Sequence, residues 1–120
     1  MANDFKRFTV PSVNTSVGAS ASAVYTVPSS GSAMESIVIG ITLANKTSTG
    51  VTASVFLDNF SGSNDVYIVK DATIPAGSSL EVMSGNKIVV QGNGSANDVI
   101  RVSSGTATAV DATISVLEDV

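Results

Sequence analysis

Hydrophobic and polar residues alternate with a period of two along almost the whole chain. Ile37, Ile39, Ile41 and Leu43 alternate with Val38, Gly40 and Thr42, and Val51, Ala53, Val55 and Leu57 alternate with Thr52, Ser54, Phe56 and Asp58. The rhythm returns at Val66 and Ile68 against Tyr67 and Val69, at Leu80 and Val82 against Glu81 and Met83, at Ile88 and Val90, and at Ile100 and Val102. Near the end Val110, Ala112, Ile114 and Val116 alternate with Asp111, Thr113, Ser115 and Leu117. Successive side chains of a strand point to opposite faces, so each first-named set is expected to line a buried face. No stretch carries a 3.6-residue stripe, and strong helix formers are sparse.

The pattern predicts strands near residues 5–10, 22–27, 35–45, 51–58, 65–70, 78–84, 87–91, 98–103 and 109–118. Turn chemistry separates them: Pro28 to Gly31, Asn45 to Gly50, Asn59 to Asn64, Pro75-Ala76-Gly77, Ser84-Gly85-Asn86, Gly92 to Asn97 and Ser104-Gly105. Gly and Asn supply positive φ, and Pro75 presets φ before its turn. Residues 81–91 read as a tight hairpin across Ser84-Gly85-Asn86, with Val82 and Ile88 paired inward. Eight or nine short strands with one greasy face each must stack those faces on each other, which predicts an all-β antiparallel sandwich of Greek-key or jelly-roll type. Residues 1–21, with Pro11, Asn14 and Gly18 in a Ser/Ala/Val-rich stretch, are expected to form an arm or an edge strand beside a sandwich domain over 22–120.

A chain of 120 residues suits one domain with one modest core. Charged residues are only 13% of it, about half the usual share, so its polar surface must come from Ser, Thr, Asn and Gly. Such a surface is cheap to desolvate and suits packing against neighbours. The net charge is −4, and the densest basic run is Lys6-Arg7, which argues against nucleic-acid binding. Runs such as Ile37-Val38-Ile39 fall far short of a membrane span, and the opening residues Met1 to Arg7 lack the apolar stretch of a signal peptide.

Candidate chemistry is thin. There is no Cys and no His, which removes disulfides, thiolates and the commonest base and transition-metal ligand. A Ser-Lys dyad would need a buried lysine, and Lys6, Lys46, Lys70 and Lys87 fall at the terminus, in a turn or at strand ends. The ten acids fall at strand ends or on outward faces and read as solvated charge rather than a glycosidase pair. Asp58, Asn59, Ser61, Ser63, Asn64 and Asp65 form an oxygen-rich loop without EF-hand spacing, which turn chemistry explains without calcium. The Gly92 to Asp98 loop lacks a lysine and opens no helix, so it is no phosphate loop. Asn45-Lys46-Thr47, Asn59-Phe60-Ser61 and Asn93-Gly94-Ser95 fit the glycosylation pattern but read as turns. No catalytic residue, metal ligand or cofactor is expected. Apolar residues outside the inward rows are the better lead: Phe5, Phe8, Phe56, Phe60, Tyr67 and Val69 are candidate interface residues, with Tyr67 and Val69 on one face.

Several segments resemble small virion structural proteins of tailed phages, chiefly the marine and cyanobacterial type. They are Tyr25-Thr26-Val27-Pro28, Ile39 to Asn45, Val55-Phe56-Leu57-Asp58, Tyr67 to Val82 with its Pro75-Ala76-Gly77-Ser78 turn, and Val110 to Glu118. In order they cover about residues 22–118. The resemblance implies a non-enzymatic β-sandwich subunit present in many copies on a particle, with no catalytic residues. A capsid decoration or cement protein fits first, a neck, tail or baseplate subunit next. The implied partners are copies of the chain, a trimer suiting a capsid three-fold axis, and the major capsid protein; the location is the virion, after synthesis in the host cytoplasm. A carbohydrate or host-surface binding module ranks below these, since it would want clustered aromatics and the chain has no Trp and two Tyr.

Overall fold

Among the described residues the period-two rows become nine strands in two sheets. The structure, a computed structural model, describes residues 3–16, 20–28, 34–58, 65–83, 87–92 and 96–119. The strands are β1 (Asn3–Val10), β2 (Ser22–Thr26), β3 (Met34–Asn45), β4 (Val51–Asp58), β5 (Asp65–Ile74), β6 (Ser79–Glu81), β7 (Ile88–Gly92), β8 (Val99–Ser104) and β9 (Val110–Asp119). One sheet has the order β1-β9-β3, with β6 and β7 both on the far edge of β3; the other has the order β2-β8-β4-β5. All pairings are antiparallel.

The pairings nest. β4 pairs β5, β3 pairs β6 and β7, β2 pairs β8, and β1 pairs β9. A chain folded once into such a long ribbon and then rolled, so that β9 also meets β3 and β8 also meets β4, is a jelly roll. Rolling places the apolar rows of the two sheets against each other. Ile41 and Leu43 of β3, Val51, Ala53 and Val55 of β4, Ile100 and Val102 of β8, and Val110, Ala112, Ile114 and Val116 of β9 are all buried in one core. β1 is an edge strand of its sheet, and Val13 just beyond it is fully buried, its amide donating to the Val110 carbonyl at 2.9 Å.

β6 and β7 do not form the expected hairpin. They run end to end along β3, β6 opposite Thr42 to Ala44 and β7 opposite Met34 to Val38. Val82 and Ile88 each pack on the core but pair with β3 rather than with each other. Between them Met83, expected on the outward face, turns into the core; Ser84-Gly85-Asn86 lies outside the described residues. The break sits opposite a bulge in β3, where Val38 pairs Val116 but Gly40 pairs Ser115, leaving Ile39 extra. That one residue inverts the β3 row. Ser36 and Val38 point inward before the bulge, Ile41 and Leu43 after it, while Ile37 and Ile39 face out rather than in.

Two loops show their chemistry plainly. Ser78 N–H donates to the Pro75 carbonyl at 3.1 Å, and Gly77 supplies the positive φ of 67° that closes this turn. Asn45 is buried: its Nδ2 lies 2.8 to 3.2 Å from the carbonyl oxygens of Thr49, Ile74 and Pro75, and its Oδ1 accepts from Thr47 N–H and Oγ1–H. The Asn45-Lys46-Thr47 triplet is thus turn chemistry that ties two crossovers between the sheets together.

Candidate interaction surfaces

One end of the core is polar. The inward row of β9 continues from Val116 to Glu118, which is 1% exposed, and its inward neighbour across β3 is Ser36. On β2 a register shift between Ala23 and Tyr25 leaves both Val24 and Tyr25 buried. Tyr25 Oη–H donates to Glu118 Oε2 at 2.6 Å and lies 2.8 Å from Ser36 Oγ. A phenol has one proton, so the Ser36 hydroxyl donates to the Tyr25 oxygen. Lys6 Nζ, reaching in from β1, sits 2.9 Å from Glu118 Oε1, and the Phe8 ring covers Tyr25 at a centroid distance of 5.1 Å. Burial, and then the bond to Glu118, push the Tyr25 hydroxyl well above its ordinary value of 10. A high-pKa phenol is a poor base. Tyr25, Ser36 and Glu118 are also sealed from solvent, so this cluster joins the two sheets rather than meeting a substrate.

Glu118 therefore departs from the expectation that the acids are solvated. So does Asp98, which is buried with Oδ2 accepting from Gln91 N–H at 2.9 Å. Asp111 keeps a partly exposed position. It binds Lys46 Nζ and Ser12 N–H, each at 2.8 Å, and these bonds, Lys46 first, hold its carboxyl below the usual value. It lines a shallow hollow of about 250 Å³ with Thr9, Val10, Pro11, Ala112 and Thr113. Among the described residues no three Asp or Glu side chains converge as a metal site. The oxygen-rich loop after Asp58 lies outside the described residues, as do Asn59-Phe60-Ser61 and Asn93-Gly94-Ser95; Asp58 itself accepts from Arg101 Nε at 2.9 Å.

The outer faces differ. On the β2-β8-β4-β5 sheet, Phe56 stands in register with Arg101 and Tyr67. Tyr67 lies over it at 4.7 Å between ring centroids, and the Lys70 ammonium lies 5.4 Å from the Tyr67 centroid. Phe56 is consequently buried, not an exposed interface residue, while Tyr67 stays 45% exposed. Val69 does not share the Tyr67 face. The register shift between Val55 and Phe56 makes Ile68 the extra residue, so Val69 pairs with inward Val55 and packs on the core. Phe8 likewise faces in and packs against the core. Phe60 lies outside the described residues.

Phe5 is the candidate that the structure leaves bare, at 78% exposure, and it has company. Phe5 pairs Leu117, Leu117 pairs Ile37, and Ile37 pairs Val89, so four apolar residues form one row across the outer face of the β1-β9-β3-β7 sheet. Val89 is 55% exposed, Leu117 and Ile37 are half-buried, and the bulged Ile39 adds to the row. The strand sequences carried a signal for it: Ile37-Val38, Ile88-Val89-Val90 and Val116-Leu117 are apolar on both faces, where a half-solvated strand would alternate.

Fold and surface together define a jelly-roll β-sandwich with one apolar-striped outer face. Compared with known proteins, the chain matches no family model and no curated sequence.

Proposed function

We propose that this chain is a non-enzymatic structural subunit of a tailed-phage virion, best suited to a capsid decoration or cement role. The observation that carries the reading is the Phe5, Leu117, Ile37, Val89 row, an uncovered apolar strip on a rigid sheet, which is the surface a subunit held among neighbours would have. The ordered likeness of residues 22–118 to small phage virion proteins supports it. So does the buried Tyr25, Ser36 and Glu118 cluster, which is closed to any substrate. Partners on this reading are copies of the chain and the major capsid protein. A carbohydrate-binding role is less suited to an aromatic pair in which Phe56 is covered by its own neighbour Tyr67. Quantitative mass spectrometry of purified particles tests the proposal: hundreds of copies per particle fit decoration, a small multiple of three or six fits a neck, tail or baseplate subunit, and absence from particles overturns it.

A further inference from the structure

We infer that the outer face of the β1-β9-β3-β7 sheet pairs with the same face of a second copy of this chain, about a two-fold axis lying along the Phe5, Leu117, Ile37, Val89 row. The inference goes beyond the particle role and does not depend on it. Charge on the two flanks of the row is the argument. On one side stand Glu35 and, in register with it, Gln91. On the other stand Arg7, which pairs Ser115, and Lys87, two residues before Val89. Glu35, Arg7 and Lys87 are all exposed, and among the described residues none of them forms an ion pair. Turning a second copy over about the row exchanges its flanks, so the acidic side of each copy meets the basic side of the other and Glu35 comes opposite the region of Lys87. Turning it about the strand direction would set acid on acid. A two-fold interface must be self-complementary in this way.

The sheet edges point to the same face. Each free edge is unsuited to adding a strand. β1 carries the inward ammonium of Lys6, β2 has its irregularity at Val24, β5 has two register shifts, and the far edge of β3 is covered by the broken β6 and β7. Association by face is what remains. With strands about 4.8 Å apart and about 3.3 Å per residue, eight residues of each of β1, β9 and β3 and the 5 of β7 cover about 460 Å² per copy, or about 900 Å² for both, the small area of a weak and reversible dimer.

Sedimentation equilibrium of the full chain, from low to high micromolar, tests the pairing. The expected result is a monomer–dimer equilibrium, abolished by Val89→Glu with the far-ultraviolet circular dichroism unchanged. Glu35→Lys and Lys87→Glu each raise the dissociation constant by about tenfold or more when alone. An equimolar mixture of those two variants associates nearly as well as the unaltered chain, because every altered charge then meets its opposite. A monomer at all concentrations, a trimeric mass, a Val89→Glu protein that still dimerises, or a mixture no better than its components overturns the inference.

Discussion

Tyr25 of one sheet donates its phenolic proton to Glu118 of the other at 2.6 Å, and Lys6 holds the second oxygen of that carboxylate at 2.9 Å. Glu118 is a charge-bearing side chain in the core row of β9, and these partners are what make its burial tolerable.

Removing one partner should therefore cost more than removing the whole set. Tyr25→Phe should destabilise the fold by about 1–3 kcal/mol, since it strips a donor from a buried carboxylate. Lys6→Met should do the same, whereas Lys6→Met, Glu118→Leu and Tyr25→Phe combined should recover most of the loss, because the apolar replacements need no partner and no buried phenol is left without its acceptor. Urea unfolding of the four proteins measures this, and a combined variant less stable than either single one would contradict it.

Alkali should act through the same phenol. The folded value of Tyr25 is raised, so its contribution is complete below the ordinary value of about 10 and drains away as pH climbs toward the folded one. Stability should fall above pH ~10, with phenolate absorbance at 295 nm from Tyr25 appearing together with unfolding. Tyr25→Phe should flatten that fall while lowering the plateau beneath it.

Acid should act through Asp111. Its folded value is depressed, so its contribution is complete above the ordinary carboxyl value and is lost as pH falls below it. Because Asp111 is about two-fifths exposed, the effect should be that of a screened surface pair, ~0.2–1 kcal/mol. Asp111→Asn should lower the melting temperature at pH 7 slightly, and the difference should vanish near pH 2 and shrink in high salt.

At Gly77 the backbone rather than space is the constraint. An added Cβ would meet nothing within 4 Å, yet φ is 67°. Gly77→Ala should cost about 1 kcal/mol through the left-handed conformation alone, and Gly77→Asn clearly less. Thermal melts of the two variants separate these.

Period-two alternation was enough to read nine strands and the layered architecture, because burying one face of a sheet enforces it. What it could not carry was register across an irregularity. Ile37 and Ile39 look inward on an unbroken count, but the residue inserted at 39 transfers the inward role to Ser36 and Val38. Ile68 does the same on β5, separating Tyr67 from Val69. Neither bulge has a Gly or Pro at the extra residue to announce it. Glu118 was legible by position, two beyond Val116, and was misread because its chemistry suggests solvent. The outer apolar row depends on which residues lie side by side on strands distant in sequence, and that is knowable only once β1, β9, β3 and β7 are aligned.

The place of β9 has a consequence for biosynthesis. It lies between β1 and β3, yet it leaves the ribosome after the eight other described strands. Until it emerges, β1 has no strand to pair with and stays apart from β3. Closure of the sandwich must then wait until β9 has been made, and through such distant pairings it should proceed in milliseconds to seconds rather than microseconds.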